Sequence, residues 1–168
     1  LVTDSAKRGA YHTVNAPEQP DTVIIGEGLA TALSAHLMRP DALTISAIDA
    51  GNMVPVAKTM RTLHPNAQII LAADNDIMAG KTNAGKDWAE KAAREVNGWV
   101  SLPPTSEKAD WDDYRQQCGL TAATQAFTDS LYAVSGGDKP TRDDPLRPRV
   151  ESRKDGVFWL TPKVDKDS

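Results

Sequence analysis

Apolar residues along this chain come in short unbroken runs that alternate with stretches of helical spacing. Thr22-Val-Ile-Ile25 is a compact β-branched run, followed at once by Gly26-Glu27-Gly28. From Leu29 to Met38, apolar residues at 29, 33 and 37 predict one face of a helix, closed by Arg39-Pro40. Leu43-Thr-Ile-Ser-Ala-Ile48 predicts a second strand, and Met53 to Leu63 a second helix with Met53, Val56, Met60 and Leu63 on one stripe. Pro55 is tolerable there because a first helical turn needs no internal partner for its N–H groups. Ala67 to Ala73 reads as a third strand, entered from the turn-like His64-Pro65-Asn66. Gly85-Lys86 opens a third helix that Asn97-Gly98 caps, and Trp99-Val-Ser-Leu102 is a fourth strand ended by Pro103-Pro104.

This β-α-β-α-β-α-β alternation predicts an α/β fold, with a four-stranded, mainly parallel sheet flanked by helices. A short helix headed by Asp110-Trp111 and ending near Gly119 follows, then a helix from Thr121 to Val134. Residues 1–20 read as a basic arm or edge strand, residues 21–135 as the main domain, and residues 136–168 as a linker and the start of a following domain. The Gly-, Pro- and charge-rich run from Gly136 to Arg149 marks that linker.

Composition narrows the class without naming it. A length of 168 residues fits one domain of ordinary size, and 40% hydrophobic residues are enough for a core. A net charge of −4 gives no general basic field toward nucleic acid, so any such contact must be local, as at Lys7-Arg8. The single Cys118 excludes an internal disulfide and argues against zinc, which fits a reducing, cytoplasmic setting. No signal peptide or membrane-spanning apolar run is present. A start at Leu1 and a stop amid charged residues read as an excised piece of a larger protein.

Chemistry is concentrated at the ends of the predicted strands. Five of the six residues from Ile69 to Asp74 are apolar or small, and the run ends in Asp74 and Asp76, one residue apart. Glu27, between two glycines, holds the same position after the first strand. In an open α/β sheet, ligands bind outside the carboxyl ends of the strands. If the first and third strands are neighbours, the three acids converge and repel unless a cation neutralises them. That constellation suits Mg²⁺ or Mn²⁺ and phosphoryl chemistry. Lys86, at a helix start, is placed to touch a phosphate. The acids Asp110, Asp112 and Asp113 head a helix, where each also suits a cap.

Glu27-Gly28-Leu-Ala-Thr-Ala32, Ala50-Gly51-Asn52, Ala73-Asp74-Asn75-Asp76, Asn83-Ala84-Gly85-Lys86 and Asp110-Trp111-Asp112-Asp113 together resemble the Toprim domain, a Rossmann-like fold of bacterial primases, topoisomerases and some nucleases. The nearer likeness is to primases of plasmids and phages, some fused to a helicase. The resemblance implies Mg²⁺-dependent nucleotidyl transfer, with Glu27 as general acid/base or metal ligand and Asp74 and Asp76 as metal ligands. It implies Lys86 on phosphate and Asp113 as an accessory acid. Lys7 and Arg8, in a basic and aromatic cluster outside the resembling stretch, read either as contacts to a nucleic-acid backbone or as part of a solvated edge strand. The loop from Ile77 to Ala84 is longer than the corresponding turn of typical bacterial primases.

The implied activity is synthesis of RNA primers on single-stranded DNA from ribonucleotides, in plasmid or phage replication or conjugation. Flanking zinc-binding and helicase modules are the implied partners, and an excised domain of this kind can be inactive without them. Two other readings stay open: a Toprim nuclease, and a non-catalytic module for nucleic-acid binding or docking.

Overall fold

The structure, a computed structural model, describes residues 9–134. Lys7, Arg8 and the linker and following segment from residue 136 lie outside the described residues. The elements are β1 (His12–Asn15), β2 (Thr22–Gly26), α1 (Leu29–Met38), β3 (Leu43–Ser46), α2 (Met53–Leu63), β4 (Gln68–Ala72), α3 (Ala84–Val96), β5 (Trp99–Ser101), α4 (Trp111–Cys118), α5 (Leu120–Asp129) and β6 (Leu131–Ala133). A 3₁₀ turn at Ala50–Asn52 leads into α2.

The strands form one six-stranded sheet in the order β1-β3-β2-β4-β5-β6. The inner four are parallel, as expected, and two antiparallel strands are added at the edges. The two added strands are only four and three residues long; β1 falls in the stretch read as a basic arm or edge strand, and β6 in the stretch expected to be helical. The expected helix to Val134 stops at Asp129; after Ser130 the chain turns back and Leu131–Ala133 pairs with β5.

Side chains alternate across the inner strands, so the sheet has a core on each face. Val23, Ile25, Ile69, Leu71 and Val100 pack against Met53, Val56 and Met60 of α2 and Ala89, Ala92 and Val96 of α3. Ile24 and Ile70 pack on the other face, against Ala35 and Met38 of α1, Trp111 of α4 and Phe127 of α5. Burying one such aliphatic side chain contributes about 1.5–3 kcal/mol.

Helix α1 departs from the expected amphipathic pattern. Leu29, Leu33 and Leu37 are about half exposed (51%, 47% and 49%), while Thr31, Ala32, Ser34, Ala35 and Met38 face inward. Small residues let the helix lie close to the sheet and to α4. There Ser34 donates to Asp112 at 2.9 Å and accepts from Arg115 Nε at 3.0 Å. In α2, Leu63 of the expected stripe is also exposed, and Ala57 takes an inner place.

Two side chains fasten distant loops. Arg61 donates to the carbonyls of Pro65, Ala67 and Val96, which ties the exits of α2 and α3 together. Buried Asn52 accepts from the Gly9 N–H at 2.6 Å and donates to the Ala10 and Ala47 carbonyls, which pins the chain before β1 to the exit of β3. That exit is strained, since Ile48 is a β-branched residue at φ +81°.

On the α1/α4/α5 face, Trp111 is fully buried, donates through Nε1 to the Ser101 carbonyl at 3.0 Å, and meets Phe127 edge to face at 5.1 Å. Phe127→Ala leaves a cavity beneath this ring. We expect it to destabilise the domain by about 3–5 kcal/mol in urea unfolding; a loss below about 1 kcal/mol would contradict the packing described.

Candidate functional site

The order of the inner strands decides what meets at the carboxyl edge of the sheet. After β2 the chain passes to β3 on one side, then to β4 on the other, so the crevice between β2 and β4 is the topological switch point. Gly26 lies opposite Ala72 in the parallel ladder, so Glu27 and Asp74 leave adjacent strands side by side. A Cβ at Gly26 would stand 3.1 Å from the Ala32 nitrogen and from the Thr31 methyl, so glycine lets α1 begin close to the strand. Thr31, buried in the first turn of α1, donates to Asp74 Oδ1 at 3.4 Å.

Asp74 is the hub of the corner. Its carboxyl is pushed up to about 8, first by burial, then by the charge and hydrogen bond of Glu27, and further by the charges of Asp110 and Asp76. In the cation-free protein at neutral pH, the Asp74 carboxyl is therefore held largely in its protonated form beside Glu27. Asp76, half-buried, faces the exposed Lys108 with 3.8 Å between Oδ1 and Nζ. At that exposure the pair is worth about 0–1 kcal/mol, enough to bias the lysine but not to hold it.

The turn carrying the two aspartates is fixed from both sides. Asn75 exchanges backbone hydrogen bonds with Ala109, both at 2.9 Å. This bridge brings the neighbours of Ala109, Lys108 and Asp110, to the corner. On the other side lies the first turn of α3, where Asn83 caps the helix by accepting from the Lys86 N–H at 3.2 Å. Gly85 sits against the turn itself. A Cβ there would overlap the Asp74 carbonyl oxygen and stand 2.7 Å from Asp76 Oδ2.

The structure thus brings together Glu27, Asp74 and Asp76, and places the half-buried Lys86 in the helix turn beside them. Asp113 has another occupation. Its carboxylate accepts from the Asp110 N–H at 3.1 Å while Asp110 accepts from the Asp113 N–H at 2.8 Å, a reciprocal cap on α4. The acid whose charge reaches Asp74 is Asp110, itself raised by burial. Lys7 and Arg8 are outside the described residues. Asp110 stands out in the sequence only together with Asp112 and Asp113, and Lys108 not at all, because the bridge that delivers them joins positions far apart in the chain.

Among the described residues, no three metal-ligating side chains lie close enough to enclose an ion without rearrangement. Mg²⁺ does not require that, since it commonly takes one or two carboxylates and fills its octahedron with water and substrate phosphate. The donor set fits such an ion. The groups are hard carboxylate oxygens, crowded so that one must hold a proton, and a cation would replace that proton. Glu27, Asp74 and Asp76 are the residues that would hold it.

Residues 22–121 match the Toprim domain, and the chain belongs to that family. Over 106 residues it is 35% identical to DNA primase TraC of Escherichia coli, a match spanning 60% of this chain and 7% of that protein. A second Escherichia coli DNA primase TraC is 33% identical over 106 residues, spanning 60% of this chain and 10% of that protein. The chain therefore covers a tenth or less of these relatives. The crystal structure of the primase fragment of the bacteriophage T7 primase-helicase protein is similar at a TM-score of 0.47 and 18% identity, covering 68% of this chain and 45% of that one. The chain carries a Toprim domain related to DNA primases.

Two outcomes test this geometry. Asp74 ionises at the ordinary 3.8 when unfolded but only at about 8 when folded, so its contribution to stability is whole below the first value and is lost as pH rises to the second. In EDTA, Asp74→Asn should therefore gain in Tm over the wild type as pH rises from about 5 to about 9; a constant difference would refute the raised Asp74 carboxyl. Gly85→Ala should destabilise the fold by about 1–3 kcal/mol, because backbone rather than a flexible side chain opposes the methyl. An unchanged melting curve would show that α3 does not rest on the aspartate turn.

Proposed function

We propose that this Toprim domain is the nucleotidyl-transfer centre of a DNA primase, joining ribonucleotides on a single-stranded DNA template. The observation that carries the reading is the contact of Glu27 with Asp74 across paired strands, with Asp76 beside them. A bound Mg²⁺ or Mn²⁺ would supply charge neutralisation at the transferring phosphoryl group.

The chain's own groups have distinct tasks in this reading. Glu27 takes the proton from the attacking hydroxyl, since it stands at the open end of β2 beside Asp74. Asp74 and Asp76 hold the cation. Lys86 and the amino terminus of α3 attract substrate phosphates, the helix through its free N–H groups. Lys108, paired with Asp76 while no cation is bound, becomes available to a phosphate oxygen once a cation takes that carboxylate. Lys7 and Arg8 would add contacts to the nucleic-acid backbone. The similarity to DNA primases of Escherichia coli supports the choice of reaction, and a plasmid or phage setting with zinc-binding and helicase partners belongs to the same proposal.

Incubation with single-stranded DNA, ribonucleotides and Mg²⁺ tests the proposal directly. New oligoribonucleotides are the expected product, and Glu27→Gln should lower their rate about 10²–10⁴-fold, the usual contribution of a general base. A Glu27→Gln protein that primes at full rate removes Glu27 from the chemistry. Shortening of the template would instead assign the domain to phosphodiester cleavage.

A further inference from the structure

Asn83 does more than cap α3. Its Oδ1 accepts two backbone protons, from Lys86 at 3.2 Å and from Asp76 at 2.9 Å. Its Nδ2 donates to Asn75 Oδ1 at 2.7 Å. Buried Asn75 passes the connection on, donating through Nδ2 to the Pro103 carbonyl at 3.0 Å and lying 3.3 Å from the Thr105 carbonyl and hydroxyl oxygens. One continuous hydrogen-bonded chain therefore runs from the loop after β5, through the residue between the two aspartates, to the backbone of Asp76 and the start of α3.

Resting on the cation-binding reading given above, we propose that Asn83 is a positioning residue for that cation, with Asn75 as its relay. Asn83 fixes the backbone of Asp76, and so sets where the Asp76 carboxylate stands relative to Asp74. The role demands an amide. One side chain must offer an acceptor with two lone pairs and, on its other atom, a donor. Serine keeps a capping oxygen but has no second arm to reach Asn75. Aspartate keeps the acceptor, loses the donor and adds a further negative charge to a corner that already holds Glu27, Asp74, Asp76 and Asp110. The arrangement also explains how the long loop from Ile77 to Thr82 is tolerated, because its two ends, Asp76 and Asn83, are tied directly to each other.

Mn²⁺ binding to the whole chain, followed by the electron paramagnetic resonance of free Mn²⁺, tests the role without any need for catalysis. Asn83→Ser should still fold, because serine is an equally good cap, but with a lowered melting temperature, because buried Asn75 Oδ1 loses its donor. It should bind Mn²⁺ about 10–100-fold more weakly, the usual loss when an outer partner of a metal ligand is removed. Asn83→Ser binding as tightly as wild type overturns the positioning role and leaves the cation site standing. A wild-type chain that binds no Mn²⁺ overturns both. If Asn83→Ser does not fold, amide exchange in the wild type decides: Asp76 N–H protected to the same degree as Lys86 N–H supports the clamp, and exchange at the rate of an open loop overturns it.

Discussion

The parallel pairing of β2 with β4 is the constraint on which this domain depends. Five residues of each strand run in register, from Thr22 opposite Gln68 to Gly26 opposite Ala72. The pairing lies at the centre of the sheet, with apolar layers on both faces, so it is the least free to slip. Its last rung delivers two carboxylates to adjacent positions in a partly desolvated corner. Apolar burial stabilises this electrostatic strain, and the strain makes the corner receptive to positive charge.

The surrounding elements limit where that charge can sit. Helix α1 starts so close to β2 that Thr31 reaches Asp74, and α3 starts so close to the aspartate turn that only a glycine fits at position 85. Two helix amino termini thus converge on the corner, α1 preceded by Gly28 and α3 by Asn83, whose amide reaches into the aspartate turn. The β5–α4 loop completes the wall through the Asn75–Ala109 bridge, and contributes one base and one acid, Lys108 and Asp110, from either side of Ala109. Each of these contacts joins residues more than ten positions apart or lies at an element boundary, where few side chains satisfy the geometry.

Much of this was legible in the sequence, and the misses have physical reasons. The β-branched runs of β2 and β4 are too apolar to be anything but buried, and glycines beside Glu27 marked a close turn. Helical spacing in α1 correctly signalled a helix but misidentified its inward face. Leu29, Leu33 and Leu37 form the more apolar stripe, yet a helix that must lie close to a sheet turns its small residues inward. Strand β6 was hidden because Leu131-Tyr-Ala is too short for periodicity to distinguish it from the end of a helix. Asp110 and Lys108 reach the site through a backbone bridge, and backbone bridges leave no mark in side-chain pattern. The asparagines at 75 and 83 stood within the recognisable motifs without a role of their own; their amide geometry is a property of the folded loop.

The two rims of the sheet have a consequence for how this domain can be housed. Both outermost strands are only three or four residues long, both run against their neighbours, and β1 carries an irregular step between Thr13 and Asn15. Truncated, kinked borders offer a passing polypeptide almost no template for continuing the hydrogen-bonded ladder. A sheet sealed in this way can sit inside chains many times its own length, as in relatives where the matched region is a tenth or less of the protein, without its margins recruiting strands from its neighbours.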